Sequence, residues 1–504
     1  MWSRRRLLAA AGAGAAAVAA GCSAEPGSRP VGVDSVAVRE AEARRRAAGA
    51  PVREVRLRAE PATVDLGGVV VDTWTYGGRL PGTEVRLRRG EVLSARFDNA
   101  LAAPSTVHWH GVALRADMDG VPGLTQPPVQ PGSGFGYEFT VPDAGTYWLH
   151  PHVGVQLDRG LYAPLIVEDP ADPGYDAEAV VILDDWLDGV DGRDPDAELA
   201  RLRAAGMHDM SAEPGGGHGG HGGHAGAQTA PLGEHGGDVE YRHYLCNGRL
   251  PADPVTFTAA PRQRMRVRLI NAAADTAFRV AVAGHRMTVT HSDGFPVFPV
   301  STESLLIGMG ERYDVTVDLR AGVFALAAAA EAKAGRAMAV IRTGPGEALD
   351  AGVRVRELDT APLTAGRLQA ADAARLAPRA PEVVHEVRLG ADATGYVWTI
   401  NDRAPLDGMV GHDAHAMFEV FAGQRVRLRF VNATTMFHPM HLHGHTGALV
   451  TGSGAGPRKD TVLVGAGETV EFDFDATNPG QWMLHCHNAY HGEAGMMSVL
   501  SYQA

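Results

Sequence analysis

Cysteine is almost absent from this chain: Cys22, Cys246 and Cys486 are the three it carries in 504 residues. That scarcity rules out a disulfide framework as the main support of the fold. Cys246 follows the apolar-aromatic run Tyr241–Leu245 and reads as a buried core residue. Beyond the N-terminus, no stretch reaches membrane-spanning length without charged or polar breaks, so nothing there reads as a membrane-crossing helix. A positive surplus is missing too. The formal charge of −13 at pH 7 speaks against nucleic acid, or an anionic membrane surface, as the principal partner. Long helical periodicity is also lacking, which removes the bundle folds.

What is abundant is turn residues and short alternating segments. Gly numbers 62 and Pro 31, and between them lie Glu54–Arg58, Glu84–Arg88, Val92–Phe97, Gly136–Val141 and Thr146–His150, each with the period-two pattern of a strand. A weak repeat joins distant parts of the chain. Arg96-Phe97-Asp98-Asn99-Ala100, Arg268-Leu269-Ile270-Asn271-Ala272 and Arg429-Phe430-Val431-Asn432-Ala433 each close an alternating strand on Asn-Ala. The copies are a domain length apart, so the expectation is an all-β protein of three β-sandwiches, over 51–170, 175–350 and 351–504. Residues 343–378 read as a bridge with Gly/Pro turns and partly helical character.

Two segments stand outside this pattern. Residues 1–22 combine Arg4-Arg5-Arg6, a small apolar run and Ala19-Ala20-Gly21-Cys22, resembling a twin-arginine export signal ending in a lipobox. They predict an exported protein held to the outer face of the cell membrane by lipid on Cys22, or secreted. Residues 23–50 read as a tether with a short helix over Glu40–Ala48. The other segment, 207–237, is dominated by Gly and carries His208, His218, His221, His224 and His235. It reads as a surface loop. His218, His221 and His224 are a candidate accessory site for divalent copper, set against a neutral insertion.

The chemistry sits in four clusters: His108-Trp109-His110, His150-Pro151-His152, His441-Leu442-His443 and His485-Cys486-His487. In a strand, residues two apart point to the same side, so each pair can present two imidazoles to one site. Two pairs lie near the start of the sandwich region and two near its end, so the terminal domains must meet. Cys486 faces away from its two neighbours. With His438, His491 and Met496 it supplies two imidazoles, a thiolate and a thioether, the ligand set of an electron-transfer copper. A lone electron carrier leaves the four pairs unexplained, and a zinc hydrolase leaves the thiolate and thioether unexplained.

These motifs, together with His438-Pro439-Met440-His441-Leu442-His443-Gly444 and Tyr147-Trp148-Leu149-His150-Pro151-His152, resemble those of the three-domain multicopper oxidases. That group includes laccases, bilirubin oxidases and bacterial copper-resistance cuprous oxidases. The resemblance covers roughly residues 60–504 and implies three cupredoxin-like Greek-key sandwiches with four copper ions. It implies type 1 copper at His438, Cys486, His491 and Met496, and type 2 copper at His108 and His441. One type 3 copper falls to His110, His150 and His487, the other to His152, His443 and His485. Dioxygen is the implied acceptor and water the product, with electrons crossing Cys486 to His485 and His487, and Asp119 a proton-donating acid. Gly492 stands where related bacterial enzymes often carry a second acid, and Glu493, one residue on, is expected to fall short of the same water channel. Electrons are expected to enter by an exposed edge of His438 or His491. The expected donor is a phenol or similar aromatic, with Cu(I) or Fe(II) as the alternative. Met409, Met417, Met436, Met440 and Met483 serve either as thioether ligands or as core. The chain is expected to act as a monomer.

Overall fold

The computed structural model describes residues 29–172, 174–206, 231–392, 395–404, 418–452 and 454–504. The signal segment with Cys22, the histidines His208, His218, His221 and His224, and Met409 and Met417 lie outside them. The described chain is predominantly β and forms three sandwiches.

The first pairs a sheet of Val70–Tyr76, Val52–Asp65, Val92–Asn99 and Gly134–Thr140 with one of Val85–Arg88, Ala163–Glu168, Gly145–His150 and His108–His110. The second, between residues 177 and 342, has a six-stranded and a five-stranded sheet. The third repeats that pattern, and one of its sheets orders Phe418–Phe421, Met497–Gln503, Gln481–Cys486, His438–Leu442 and Thr461–Val464. Neighbours in each sheet are often distant in sequence, as Greek-key connections require. One hydrophobic cluster runs through all three sandwiches.

The sequence repeat has a structural counterpart. In each sandwich a long strand pairs in parallel with the repeat strand: Val52–Asp65 with Val92–Asn99, Ala177–Trp186 with Arg264–Asn271, and Val383–Asp392 with Arg425–Asn432. The closing Asn then braces the turn that follows. Asn99 Nδ2 donates to the carbonyls of Ala103 and Val129, and its Oδ1 accepts from Leu101 N–H. Asn271 and Asn432 make the same kind of bonds. All three are buried, so the amide meets its hydrogen-bonding need inside the protein.

The segment expected to be a tether differs from residue 29 onward. Pro30 bridges to Gln503, and helix α1, Val36–Arg45, is capped by Ser35 and buries Val38. Glu42 accepts from Thr140 N–H and Oγ1 at 2.9 and 2.7 Å. These buried contacts, which sequence patterning does not reveal, hold the segment on the body. A second helix, α2 (Pro195–Ala205), starts at the Asp194 cap with Pro195 in its first turn and stops at Gly206. Within 343–378 the helical character is three single turns, at Arg356–Asp359, Ala365–Arg367 and Asp372–Ala374.

Candidate metal centre

Strand register brings the histidine pairs together two by two. His108 pairs with His150 in the first sandwich, and His441 pairs with His485 in the third. Alternation then sorts the faces. Trp109, between His108 and His110, turns into the core, its ring 5.6 and 5.3 Å from Tyr137 and Phe139. Cys486 likewise turns away from His485 and His487, opposite Met440.

The two terminal sandwiches meet so that all four pairs face one another. Three groups converge, His108/His110/His441, His110/His150/His487 and His152/His443/His485, with ligand atoms in each within 4.8 Å of one another. A separate group joins His438, Cys486 and His491. There the two Nδ1 atoms are 3.1 Å apart and the Cys486 Sγ lies 3.7 Å from each. Met496 is buried beside them. Its carbonyl accepts from Cys486 N–H at 3.0 Å, and its own N–H donates to the His491 carbonyl at 2.9 Å.

Which nitrogen each ring offers follows from what the other nitrogen touches. His108 Nδ1 faces the Asp119 carbonyl at 2.8 Å, His150 Nδ1 the Pro151 carbonyl at 2.9 Å, and His441 Nδ1 the Asp460 carbonyl at 3.0 Å. Their Nε2 atoms are buried with no hydrogen-bond partner. An unpaired buried polar atom is costly, and three of them facing one cluster fit a bound metal. His485 Nδ1 faces the Cys486 carbonyl and His443 Nδ1 faces Asp119 Oδ2, both at 2.8 Å. Burial, reinforced by neighbouring imidazoles, pushes His110, His150, His152, His443, His485 and His487 well below the usual histidine range. They are therefore neutral, the form that ligates metal. Imidazoles for the cluster, and two imidazoles with a thiolate for the separate group, suit copper.

Several residues that sequence reasoning passed over shape these groups. Trp148 packs against His150, His110 and His487 with ring centroids 4.4, 5.2 and 5.5 Å away. Its place two residues before His150 on one strand was a usable signal. Trp398 covers His491 and His438 at 4.1 and 5.1 Å. Asp238 Oδ2 stands 2.9 Å from His491 Nε2 and accepts from Tyr396 Oη at 2.5 Å. Although burial opposes it, the Asp238 carboxylate raises His491 to about 10. The contact between Asp238 and Nε2 turns the Nδ1 edge of the ring to Cys486, 3.7 Å from its Sγ. Nothing in the local sequence links Asp238 to His491.

The expected exposed edge of His438 or His491 is not found. Both rings are 0% exposed, because Trp398 lies over them while Asp238 and Thr434 occupy the outer nitrogens. Among the described residues, a cleft of about 490 Å³ on this side has a lining that includes Arg193, Glu198, Arg201, Leu202, Asp238 and Glu240. The Oδ1 of Asp238 is buried there without a partner. Met436, Met440 and Met483 are buried, the last two with Cys486 and Val121 respectively among their core neighbours. Glu493 lines a small cavity of about 40 Å³ together with His150, His152, His485 and His487, so it does reach the cluster's edge. Burial pushes its carboxyl up to about 7 despite Arg203.

Three cupredoxin-type sandwiches around such His and Cys groups define a copper-dependent oxidoreductase. The chain belongs to the multicopper oxidase family, whose sequence profiles match residues 58–172, 216–346 and 379–504. It is 44% identical to "Multicopper oxidase MmcO" of Mycobacterium tuberculosis over 99% of this chain and 97% of that one. It is 27% identical to "Copper resistance protein A homolog" of Pseudomonas syringae pv. tomato, over 88% of this chain and 91% of that one. Among solved structures, a multi-copper oxidase from Pseudomonas Thermotolerans superposes with a TM-score of 0.68 at 27% identity, covering 90% of this chain and 100% of that one.

Proposed function

We propose that this protein couples one-electron oxidation of phenolic or similar aromatic donors to four-electron reduction of dioxygen to water, with four copper ions. The observation that carries this reading is the divergence at Cys486. Its thiolate joins the His438/His491 group while the imidazoles on either side join the cluster. We assign His438, Cys486, His491 and Met496 to the type 1 copper, and His108 and His441 to the type 2. His110, His150 and His487 take one type 3 copper, and His152, His443 and His485 the other.

Copper bound at these places would supply single-electron exchange with a donor and accumulate the electrons that dioxygen requires. The chain's own residues do the rest. Cys486 is the covalent route between the two groups, one peptide bond from each of His485 and His487. Asp119 orients His108 through its backbone carbonyl, 2.8 Å from Nδ1, and His443 through its carboxylate, 2.8 Å from Nδ1, and we assign it the role of acid beside the cluster. Trp398 and Trp148 keep water from the two ligand sets. Export through the N-terminal signal, a lipid anchor at Cys22 and action as a monomer belong to the same proposal.

On the donor side, a cleft with Asp238 at its His491 end suits a phenol. A hydroxyl donating to Asp238 Oδ1 sits one carboxylate away from His491, and none of the described methionines lines that cleft. The second reading, oxidation of Cu(I) or Fe(II), is favoured by the three acids in the cleft, Glu198, Asp238 and Glu240, and by the relative named for copper resistance. The test compares oxygen uptake by copper-loaded protein on a simple phenol, on Cu(I) and on Fe(II), for the parent and Asp238→Ala. We expect phenol kcat/KM to fall at least ~10-fold, a loss of ~1.4 kcal/mol in transition-state binding, with the thiolate–copper absorption kept. Faster turnover of the ions, equally sensitive to Asp238, would install the second reading. No uptake with any donor would sink both.

A further inference from the structure

The middle sandwich supplies none of the cluster histidines, yet its backbone is pressed against them. Gly310 has φ +81°, and a Cβ there would lie 2.8 Å from His487 Cδ2 and 3.0 Å from His110 Cε1. Two residues on, the fully buried Arg312 spreads its guanidinium over Asp460 of the third sandwich. Nη1 donates to Oδ1 at 2.7 Å and Nη2 to Oδ2 at 2.6 Å. Its Nε donates to the Thr146 carbonyl at 3.1 Å, in the first sandwich. Asp293 steadies the same corner, accepting from the N–H groups of Arg312, Asp460 and Thr461.

Asp460 in turn faces two cluster rings. Its Oδ1 is 3.2 Å from His110 Nε2 and 3.4 Å from His441 Nδ1. The contact with His110 matters most. His110 turns Nδ1, not Nε2, towards the cluster, 3.2 Å from His487 Nε2. His108, His150 and His441 are bonded the other way round. An imidazole can ligate through either nitrogen, and the hydrogen bond made by the other one decides which. Gly111 belongs to the same arrangement. At φ +86° its Cβ would lie 2.3 Å from Arg312 Nη2 and 2.8 Å from Asp460 Oδ2, so the glycine after His110 leaves the space the ion pair fills.

We propose that Arg312 and Asp460 are a positioning pair through which the middle sandwich, which gives the cluster none of its histidines, sets the ligating nitrogen of His110 and the orientation of His441. Asp460 accepts from His110 Nε2–H, and Arg312 fixes the plane of that carboxylate with a two-pronged bond that a point charge does not replace. The inference rests on reading the histidine cluster as the oxygen-reducing copper site.

The test uses the full chain as Arg312→Leu, Arg312→Lys and Asp460→Asn. In copper-loaded protein, copper per chain, the thiolate–copper band and the electron paramagnetic resonance of the cluster copper are measured. In metal-free protein, nitrogen-labelled histidine NMR reports which nitrogen of His110 is protonated. Expected are an unchanged thiolate–copper band, a 10–100-fold weaker hold of copper by the cluster, an altered cluster resonance, and loss of the single Nε2–H form of His110. Arg312→Lys should recover less than half of the lost copper. Arg312→Leu and Asp460→Asn proteins that keep the parent's cluster resonance and copper content overturn the proposal. Where Arg312→Leu fails to fold, seen as loss of the thiolate–copper band, the near-isosteric Asp460→Asn decides alone. A parent chain that binds no copper beyond the thiolate site sinks the underlying reading instead, and is told apart by that measurement.

Discussion

At Cys486 a single side chain decides between two copper environments, because neighbouring residues on a strand face opposite ways. The position alone separates the thiolate from His485 and His487. Asp238 and Asp460 act one step further out, each fixing an imidazole by bonding the nitrogen that the metal does not take. Cys486→Ser removes the soft ligand and leaves the eight cluster imidazoles in place. The expected outcome is loss of the thiolate–copper absorption and of turnover, with cluster copper retained, checked by copper analysis and spectroscopy. A Ser variant that keeps turnover would remove Cys486 from the electron route. The His and Cys residues were legible in the sequence because ligand chemistry restricts residue type and spacing. Asp238 and Asp460 were not, since an aspartate is ordinary in any surface turn and only its spatial neighbour gives it a task.

The elements have two devices that keep these residues in place. One is the buried Asn ending the repeat strand in each sandwich. Asn271→Leu leaves two carbonyls and one N–H without their partner, each worth ~1–3 kcal/mol when buried. Urea unfolding is expected to show a loss of several kcal/mol, and a loss under ~1 kcal/mol would mean that the Asn is no brace. The other is the glycine after a His-x-His pair. Gly444, at φ +65°, would put a Cβ 2.2 Å from the Trp482 ring. Gly444→Ala adds left-handed strain to an overpacked contact, together ~2–4 kcal/mol, and is expected to lower the melting temperature and the copper content together. Strand existence was readable from alternation. The packing of residues 29–50 and the capped helix α2 were not, because Glu42 meets Thr140 and Arg203 meets the Glu493 carbonyl only after the domains assemble.

In the whole molecule, the copper-ligand groups draw on the first and third sandwiches while the second clamps them. Copper binding to the folded state must therefore stabilise the assembly by mass action. Chelation is expected to lower the melting temperature and to move the terminal sandwiches together; an unchanged transition would place the metals outside the folded interface. The second sandwich carries its own ionic lock at the junction with the first. Asp314 accepts from Arg266 and Arg268 and from Thr146 Oγ1. Against the opposing pull of burial, the two arginines hold its carboxyl well below the ordinary range. A depressed carboxylate stabilises the folded state above its unfolded pKa, and that contribution is lost as pH falls through the folded value. The penalty of Asp314→Asn is thus expected to be constant from neutral pH to about 5 and to shrink below about 4, measured as the difference in unfolding free energy from the parent. A penalty that persists at low pH would assign it to packing.

The amino-acid sequence by itself determined the β class, the repeat and the His and Cys clusters that fit copper, since these depend on local period and on ligand chemistry. Tertiary structure alone decided that the rings of His438 and His491 are sealed from solvent, that the cleft near His491 has Asp238 in its lining, and that the sandwich giving the cluster none of its histidines grips it through Arg312. Those features depend on residues tens or hundreds of positions apart reaching hydrogen-bond distance, and no local pattern encodes such a meeting.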